Sequence, residues 1–231
     1  MRVIVPLAGP DFETGAGDTR AERIVDGAPL LRRAIEGRSW WRNGTVSAKD
    51  CVFLLRDTPV SRTFAAERLA EWYPGSRHVF LGAFTGGAAL TALCGVALAD
   101  GGGPLCIDLA DILFDDDVDP LDYFRAPDSG GLLLTFPSSN PVYSYAELDP
   151  DGAVLRTAEK KVISSHASAG VYFFRDAATF LRSVAHSLDN REALSHNGLL
   201  FVCPLFNGVL AQGSKVGVAP VRNIRDVKIS A

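Results

Sequence analysis

The first 110 residues repeat one pattern: a short apolar run ends at glycine or proline, and a segment with helical spacing follows. Val3-Ile4-Val5 stops at Pro6 and Gly9, after which Leu30, Leu31, Ala34 and Ile35 fall on one helical face behind Pro29. Residues 51–55 form the next run. Ala65, Ala66, Leu69, Trp72 and Tyr73 then recur at helical spacing within 63–73, ended by Pro74-Gly75. A third run covers 78–81. Gly86-Gly87 opens a small-residue helix over 88–98, and Gly101-Gly102-Gly103-Pro104 closes it ahead of a fourth strand at 105–109. Four predicted strands thus alternate with three predicted helices. Runs this continuously apolar are buried on both faces, so the pattern predicts a parallel α/β sheet with ligands beyond the carboxyl ends of its strands.

The second half changes character. Leu132-Leu133-Leu134 is a strand, and Asp149-Pro150-Asp151-Gly152 between the runs 143–148 and 153–155 signals a hairpin. Further elements are a strand at 171–174, a helix over 177–188, a second helix over 199–210 interrupted near Pro204, and a last strand at 216–221. A mixed sheet is expected. At 231 residues and 47% apolar content the chain suits one large domain with a sizeable core.

Charge narrows the partners. Lys+Arg 23 against Asp+Glu 27 gives −4, and no long basic run offers the footprint of a nucleic-acid binder. Small molecules are favoured instead. The four cysteines (51, 94, 106 and 203) stand singly in apolar runs without a C-x-x-C pair, and read as reduced core thiols. The opening apolar stretch is shorter than a signal-peptide core, and no run approaches the roughly 20 residues of a membrane span, so cytoplasm is the expected compartment.

Several residues suggest chemistry. The loop after the first strand holds Gly9, Gly15 and Gly17 with Arg20 and Arg23, a setting for an anion. Asp108 and Asp111, at and beyond the fourth strand, and the triplet Asp115-Asp116-Asp117 are hard oxygen donors that suit Mg²⁺ held jointly with substrate phosphates. Glu159-Lys160-Lys161 ends the hairpin, where a lysine neutralises phosphate and a glutamate orients a hydroxyl. His78, His166, His186 and His196 are scattered. No G-x-S-x-G elbow, H-E-x-x-H or Walker lysine occurs.

In order along residues 1–220, these segments resemble the sugar-phosphate nucleotidyltransferases of the short, single-domain type. Residues 3–9 resemble the family's opening strand and loop, and Val25-Asp26-Gly27-Ala28-Pro29-Leu30-Leu31 its V-x-G-x-P-[LM]-[IL] lead into the first helix. Thr85-Gly86-Gly87-Ala88-Ala89 is similar to the base-binding T-x-G-x-A segment. Asp111 stands where the family places a metal-binding aspartate. Glu159-Lys160 resembles the E-K motif on the sugar phosphate, and Gly170 leads a similar strand. Cys203-Pro204-Leu205-Phe206-Asn207 is like the late C-P-x-[YF]-N segment. One loop departs: in place of G-x-G-[TS]-R…P-K, Gly9 is followed by Pro10-Asp11-Phe12-Glu13, and Arg20 stands about where the lysine belongs.

The resemblance implies a Rossmann-like three-layer fold with a mixed, mostly parallel sheet, residues 1–118 taking the nucleotide and 119–231 the acceptor. No left-handed β-helix domain has room. It implies Mg²⁺-dependent transfer of a nucleoside monophosphate from a triphosphate to a sugar phosphate or similar phosphorylated metabolite, releasing pyrophosphate. Leu7, Ala8, Gly9, Gly86 and Gly87 would bind nucleotide, with Arg20, Asp111 and Lys160 catalytic. Glu159, Lys160 and Gly170 would bind acceptor, and Asp111 and Asn207 metal. The altered loop keeps a non-catalytic nucleotide or metabolite sensor open, and an Asp-x-Asp motif within 115–117 keeps open a glycosyltransferase using a nucleotide sugar. No nucleic acid or membrane partner is implied; a homodimer is left open, with Trp40-Trp41 either core or partner surface.

Overall fold

A computed structural model describes residues 1–99 and 102–227 of the chain. Strand β1 (Arg2–Pro6) leads through a loop and a short 24–29 hairpin to helix α1 (Leu30–Glu36). Strand β2 (Cys51–Arg56) precedes helix α2 over 59–72, which starts at Pro59 behind the Thr58 cap, four residues before its apolar spacing shows. Strand β3 (Arg77–Leu81), helix α3 (Ala88–Val96) and strand β4 (Leu105–Asp108) complete the alternation. Gly101, one of the glycines expected to close α3, lies outside the described residues.

Beyond β4 come β5 (Ile112–Asp115), β6 (Ser129–Pro137), β7 (Tyr145–Leu148), β8 (Val154–Ala158) and β9 (His166–Phe174). Helices α4 (Ala177–Asp189) and α5 (Phe206–Ala211) precede β10 (Lys215–Pro220) and β11 (Arg222–Asp226). The expected helix over 199–210 shrinks to the 3-10 turn Cys203–Leu205 followed by α5. Residues 199–200 instead bond backbone to backbone with His196, Gly86 and Ala89. Their apolar character serves docking rather than helix formation.

The described residues form a nine-stranded sheet with the path β8-β7-β9-β4-β1-β2-β3, to which β6 joins at β9 and β10 at β6. The pairs β1–β2, β1–β4, β2–β3 and β6–β10 are parallel, while β9 runs antiparallel to β4, β6 and β7. Only β8 and β9 oppose the common direction, so the sheet is mixed and mostly parallel. A separate antiparallel pair, β5–β11, lies beyond β4.

Alternate residues of β1 face two cores. Val3 and Val5 pack with Leu31, Ile35, Phe64 and Leu69 of α1 and α2, whereas Ile4 packs with Ala92, Phe180 and Val209 of α3, α4 and α5. That gives three layers. Trp40 is buried edge-on against Phe173 at 5.0 Å, and Trp41 packs partly buried on Tyr73, so this pair is core. Cys51, Cys106 and Cys203 are buried free thiols as expected, but Cys94 is exposed on α3. No helix among the described residues is long and apolar enough to cross a membrane.

Phe174 ties the second core together, stacked on Phe206 at 4.7 Å and edge-on to Phe180 at 5.1 Å. Phe174→Ala should cost about 3–5 kcal/mol in urea unfolding with an unchanged m-value, since the surrounding rings close the cavity only in part.

Candidate functional site

The chain runs outward from β1 to β2 and β3, then returns to β4 on the other flank of β1. Strand order therefore reverses between β1 and β4, and sheets of this order form their ligand crevice at the carboxyl ends of those strands. The loops that border it are 7–9 and 109–111.

The second of these loops is fixed by a buried ion pair. Arg38 Nε donates to Asp108 Oδ2 (2.9 Å) and Arg38 Nη2 to Asp108 Oδ1 (3.1 Å), each side chain about 1% exposed. Asp108 also accepts from the Ala110 amide at 2.8 Å, and Ala110 adopts a left-handed φ of 53°. That turn delivers Asp111. Asp108 itself is thereby removed from the metal-ligand candidates, because its oxygens are engaged by Arg38 and Ala110.

Asp111 is 6% exposed and lines a cavity of about 200 Å³ together with Glu159, Lys160, Gly170, Tyr143 and Asp226. Gly170 makes room for it. With φ +75°, a Cβ here would lie 3.2 Å from Asp111 Oδ1, and its carbonyl accepts from the Leu109 amide at 3.0 Å. The register of β9 against β6 shifts between Ser168 and Tyr172, a bulge that re-aims the strand beside the cavity. Across it, Ser144 Oγ donates to Glu159 Oε2, and Lys160, at φ 49°, holds its ammonium 5.5 Å from the ring centroid of Phe201, another wall residue.

Asp226 escapes the sequence reading. Its strand, Arg-Asn-Ile-Arg-Asp, shows neither an apolar run nor alternation, so no pattern signals β11. Pairing places Asp226 opposite Ile112, and the Val227 amide bonds the Asp111 carbonyl at 3.4 Å, which brings the last described strand to the Asp111 loop. Tyr143 donates its hydroxyl to Asp226; burial first and that bond second push the phenol up to about 12, so it remains a donor at neutral pH.

Other expected residues sit elsewhere. Asn207 does not line the cavity: its Oδ1 accepts from the Thr157 amide (3.0 Å) and its Nδ2 donates to the Thr157 and Pro204 carbonyls (2.9 Å each), holding β8 just ahead of Glu159. Gly87, at φ +118°, lies against the Leu200 backbone, where a Cβ would come within 2.3 Å of the carbonyl oxygen, and Gly86 accepts from the Leu200 amide at 2.8 Å. These glycines dock the segment that carries Phe201. Leu7 and Ala8 are buried, the Leu7 amide bonding Leu54, and Gly9 closes a turn to Phe12. Arg20 pairs with Asp11 of its own loop. Asp115 accepts from Asn223, Asp117 from Arg222, and buried Asp116 from the Ser39 and Val118 amides, so each member of the triplet has a structural partner and none lines the Asp111 cavity. None of the histidines lines the Asp111 cavity.

A larger cleft of about 550 Å³ lies between α1 and the β5–β11 pair. Its arginines are engaged: Arg32 by Glu36, Arg33 and Arg225 by Asp26, Arg42 by the Asp116 carbonyl. The Asp111 cavity is where acids and a cation meet beside the carboxyl end of β4.

No family profile matches the chain, and no curated protein matches its sequence. Solved structures do match. The nucleoside-diphosphate-sugar pyrophosphorylase of Vibrio cholerae RC9 superposes with a TM-score of 0.79 at 22% identity, over 96% of this chain and 93% of its own. A Bacillus anthracis protein described as a glucose-1-phosphate thymidylyltransferase, solved with sucrose, gives 0.71 at 16% identity, over 95% and 86%. The chain has the Rossmann-like sugar-phosphate nucleotidyltransferase fold that the sequence resemblance implied.

Asp108→Asn should cost about 3–5 kcal/mol in denaturant unfolding, because it leaves Arg38 charged and buried without its counter-ion. A loss below 1 kcal/mol would show the pair to be dispensable.

Proposed function

We propose that this protein transfers a nucleoside monophosphate from a triphosphate to a phosphorylated small molecule. The observation that carries this reading is the meeting of Asp111, Asp226, Glu159 and Lys160 around one cavity beside the carboxyl end of β4. The residues favour charge neutralisation over covalent catalysis: two aspartates and a lysine line the cavity, and the buried Cys203 thiol is pushed up by burial, away from thiolate chemistry.

Asp111 and Asp226 fit Mg²⁺. Among the described residues no group of three or more His, Cys, Asp or Glu side chains is gathered tightly enough to hold a metal alone. Two carboxylates with substrate phosphates completing the shell is how Mg²⁺ is usually held. When bound there, the ion supplies charge neutralisation on the phosphates. Lys160 attracts the acceptor phosphate into the cavity, and Glu159, oriented by Ser144, accepts from an acceptor hydroxyl. An oxygen of the acceptor phosphate attacks the α-phosphorus in line. The new O–P bond forms as the bond from the α-phosphorus to its bridging oxygen breaks, and pyrophosphate leaves with that electron pair. The cavity volume matches a phosphorylated monosaccharide better than a whole nucleotide sugar. On this reading residues 1–118 hold the nucleotide and 119–231 the acceptor, with β11 returning Asp226 to the junction.

Arg20 favours one second reading. Paired with Asp11, and in a loop whose Glu13 is held by Thr58 and Ser61 and whose Phe12 packs on Phe64 at 5.5 Å, it fits a sensor that has lost triphosphate chemistry. Pyrophosphate release separates the two.

Purified protein with Mg²⁺, each common triphosphate and a panel of sugar phosphates should release pyrophosphate. Asp111→Asn and Asp226→Asn should each lower kcat at least 100-fold, on the order expected for lost transition-state neutralisation, with the melting temperature kept. Chelation should abolish release and added Mg²⁺ restore it. Nucleotide binding without metal and without turnover in the wild type would establish the sensor instead.

A further inference from the structure

Arg56 ends β2, one strand out from β1, on the edge of the sheet where the crevice opens. Its Nε and Nη1 are buried and have no hydrogen-bond partner among the described residues. Its guanidinium carbon lies over the ring of Phe84, 3.9 Å from the centroid. Neighbouring acids are taken: Asp57 accepts from Arg62 at 2.5 Å, and Glu13 is held by Thr58 and Ser61. Phe84 stands in the loop after β3, two strands out from β1, and is 62% exposed. Two features here are costly to the free protein, a cation with unsatisfied donors and a large ring in water, and they occupy the same spot.

We propose that Arg56 and Phe84 read the base of the nucleotide, Phe84 by stacking and Arg56 by hydrogen bonds that select a keto base over an amino base. The inference rests on the nucleotide-binding reading above. Strands lie about 5 Å apart, so β2 and β3 are about 5 and 10 Å from the β1 end that borders the crevice. On the nucleotide-binding reading, a nucleotide with its α-phosphate at the crevice and its base over β2 and β3 would meet both side chains. Aromatic rings stack on any base, because every base has a π-face. A guanidinium discriminates further, since it carries five N–H donors and no acceptor. Guanine O6 and uracil or thymine O4 accept from it, whereas the amino groups of adenine and cytosine at the same positions present hydrogen to hydrogen. Phe84 sits on an exposed loop, so a rotamer change of that ring opens the Arg56 donors to a ligand.

The test measures Kd for GTP, UTP, dTTP, ATP and CTP in Mg²⁺ on the wild type, Arg56→Met and Phe84→Ala. Methionine keeps the apolar stem of Arg56 and deletes only its donors. In the wild type the keto bases should bind on the order of tenfold more tightly than the amino bases, and in Arg56→Met that ratio should fall toward one. Phe84→Ala should weaken all five by about fivefold or more with the ranking kept. Without nucleotide, Arg56→Met should melt at the wild-type temperature or above, because it removes unsatisfied buried donors. A uniform loss across all five triphosphates in Arg56→Met would make Arg56 a phosphate anchor and overturn the proposal, as would an unchanged ranking or a melting temperature several degrees lower. If the wild type bound no triphosphate, this inference and the transferase reading would fall together; pyrophosphate release with an unaltered base ranking in Arg56→Met would sink this one alone.

Discussion

The buried pair between Arg38 and Asp108 is the contact on which the geometry of the site depends. Two charges with about 1% exposure pay a large desolvation cost that their attraction roughly offsets, so the pair fixes position more than it adds stability. Position is what the crevice requires. Arg38 also donates to the Ile112 carbonyl at 3.2 Å and lies 3.8 Å over the Phe114 ring, binding the segment after α1 to both β4 and β5. Asp108 in turn holds Ala110 in a left-handed turn, and the next residue is Asp111. The two aspartates thus divide the work: one is given up to the interior so that the other is presented to the cavity.

The parallel half was legible because its strands are buried on both faces and are punctuated by glycine and proline, so hydrophobic runs and their stops coincide with elements. Legibility ended where polar residues make the structure. Strands β5 and β11 are short and carry Asp115, Arg222, Arg225 and Asp226, which leave no periodic trace. Asp108 and Asp111 were equivalent as letters near a strand end; what separates them is an arginine 70 residues away in sequence. Asn207 was read toward the metal, yet its amide matches one backbone donor and two acceptors so closely that it works as a splice between α5 and β8. Leu199 and Leu200 looked helical because an apolar run without punctuation does not distinguish a helix from a docked extended segment.

Docking joins the two halves of the site. Gly87 admits the Leu200 backbone so closely that no side chain fits there, and the following residue, Phe201, becomes a wall of the Asp111 cavity beside Lys160. A loop belonging to the parallel half therefore positions a residue of the other half. Gly170 does the converse, its missing Cβ giving the Asp111 carboxylate its space. Both glycines hold positive φ, so their roles combine backbone conformation with close approach.

The first loop is the place where the sensor and transferase readings diverge, and the strength of its contacts bears on both. Arg20 pairs there with Asp11, side chains 24% and 55% exposed, and pairs so accessible to water contribute about 1 kcal/mol or less. A triphosphate offers several negative charges to the same guanidinium, and bidentate phosphate contacts are stronger than a screened surface pair. On the transferase reading, Arg20 would exchange Asp11 for such a ligand. The firmer anchors of the loop, Phe12 against Phe64 and Glu13 on Thr58 and Ser61, lie beside α2 and need not break for that exchange. The loop lacks the glycine-rich G-x-G pattern and carries Arg20 on a weak tether, so on the transferase reading most phosphate neutralisation would fall to Lys160 and to a metal held by Asp111 and Asp226.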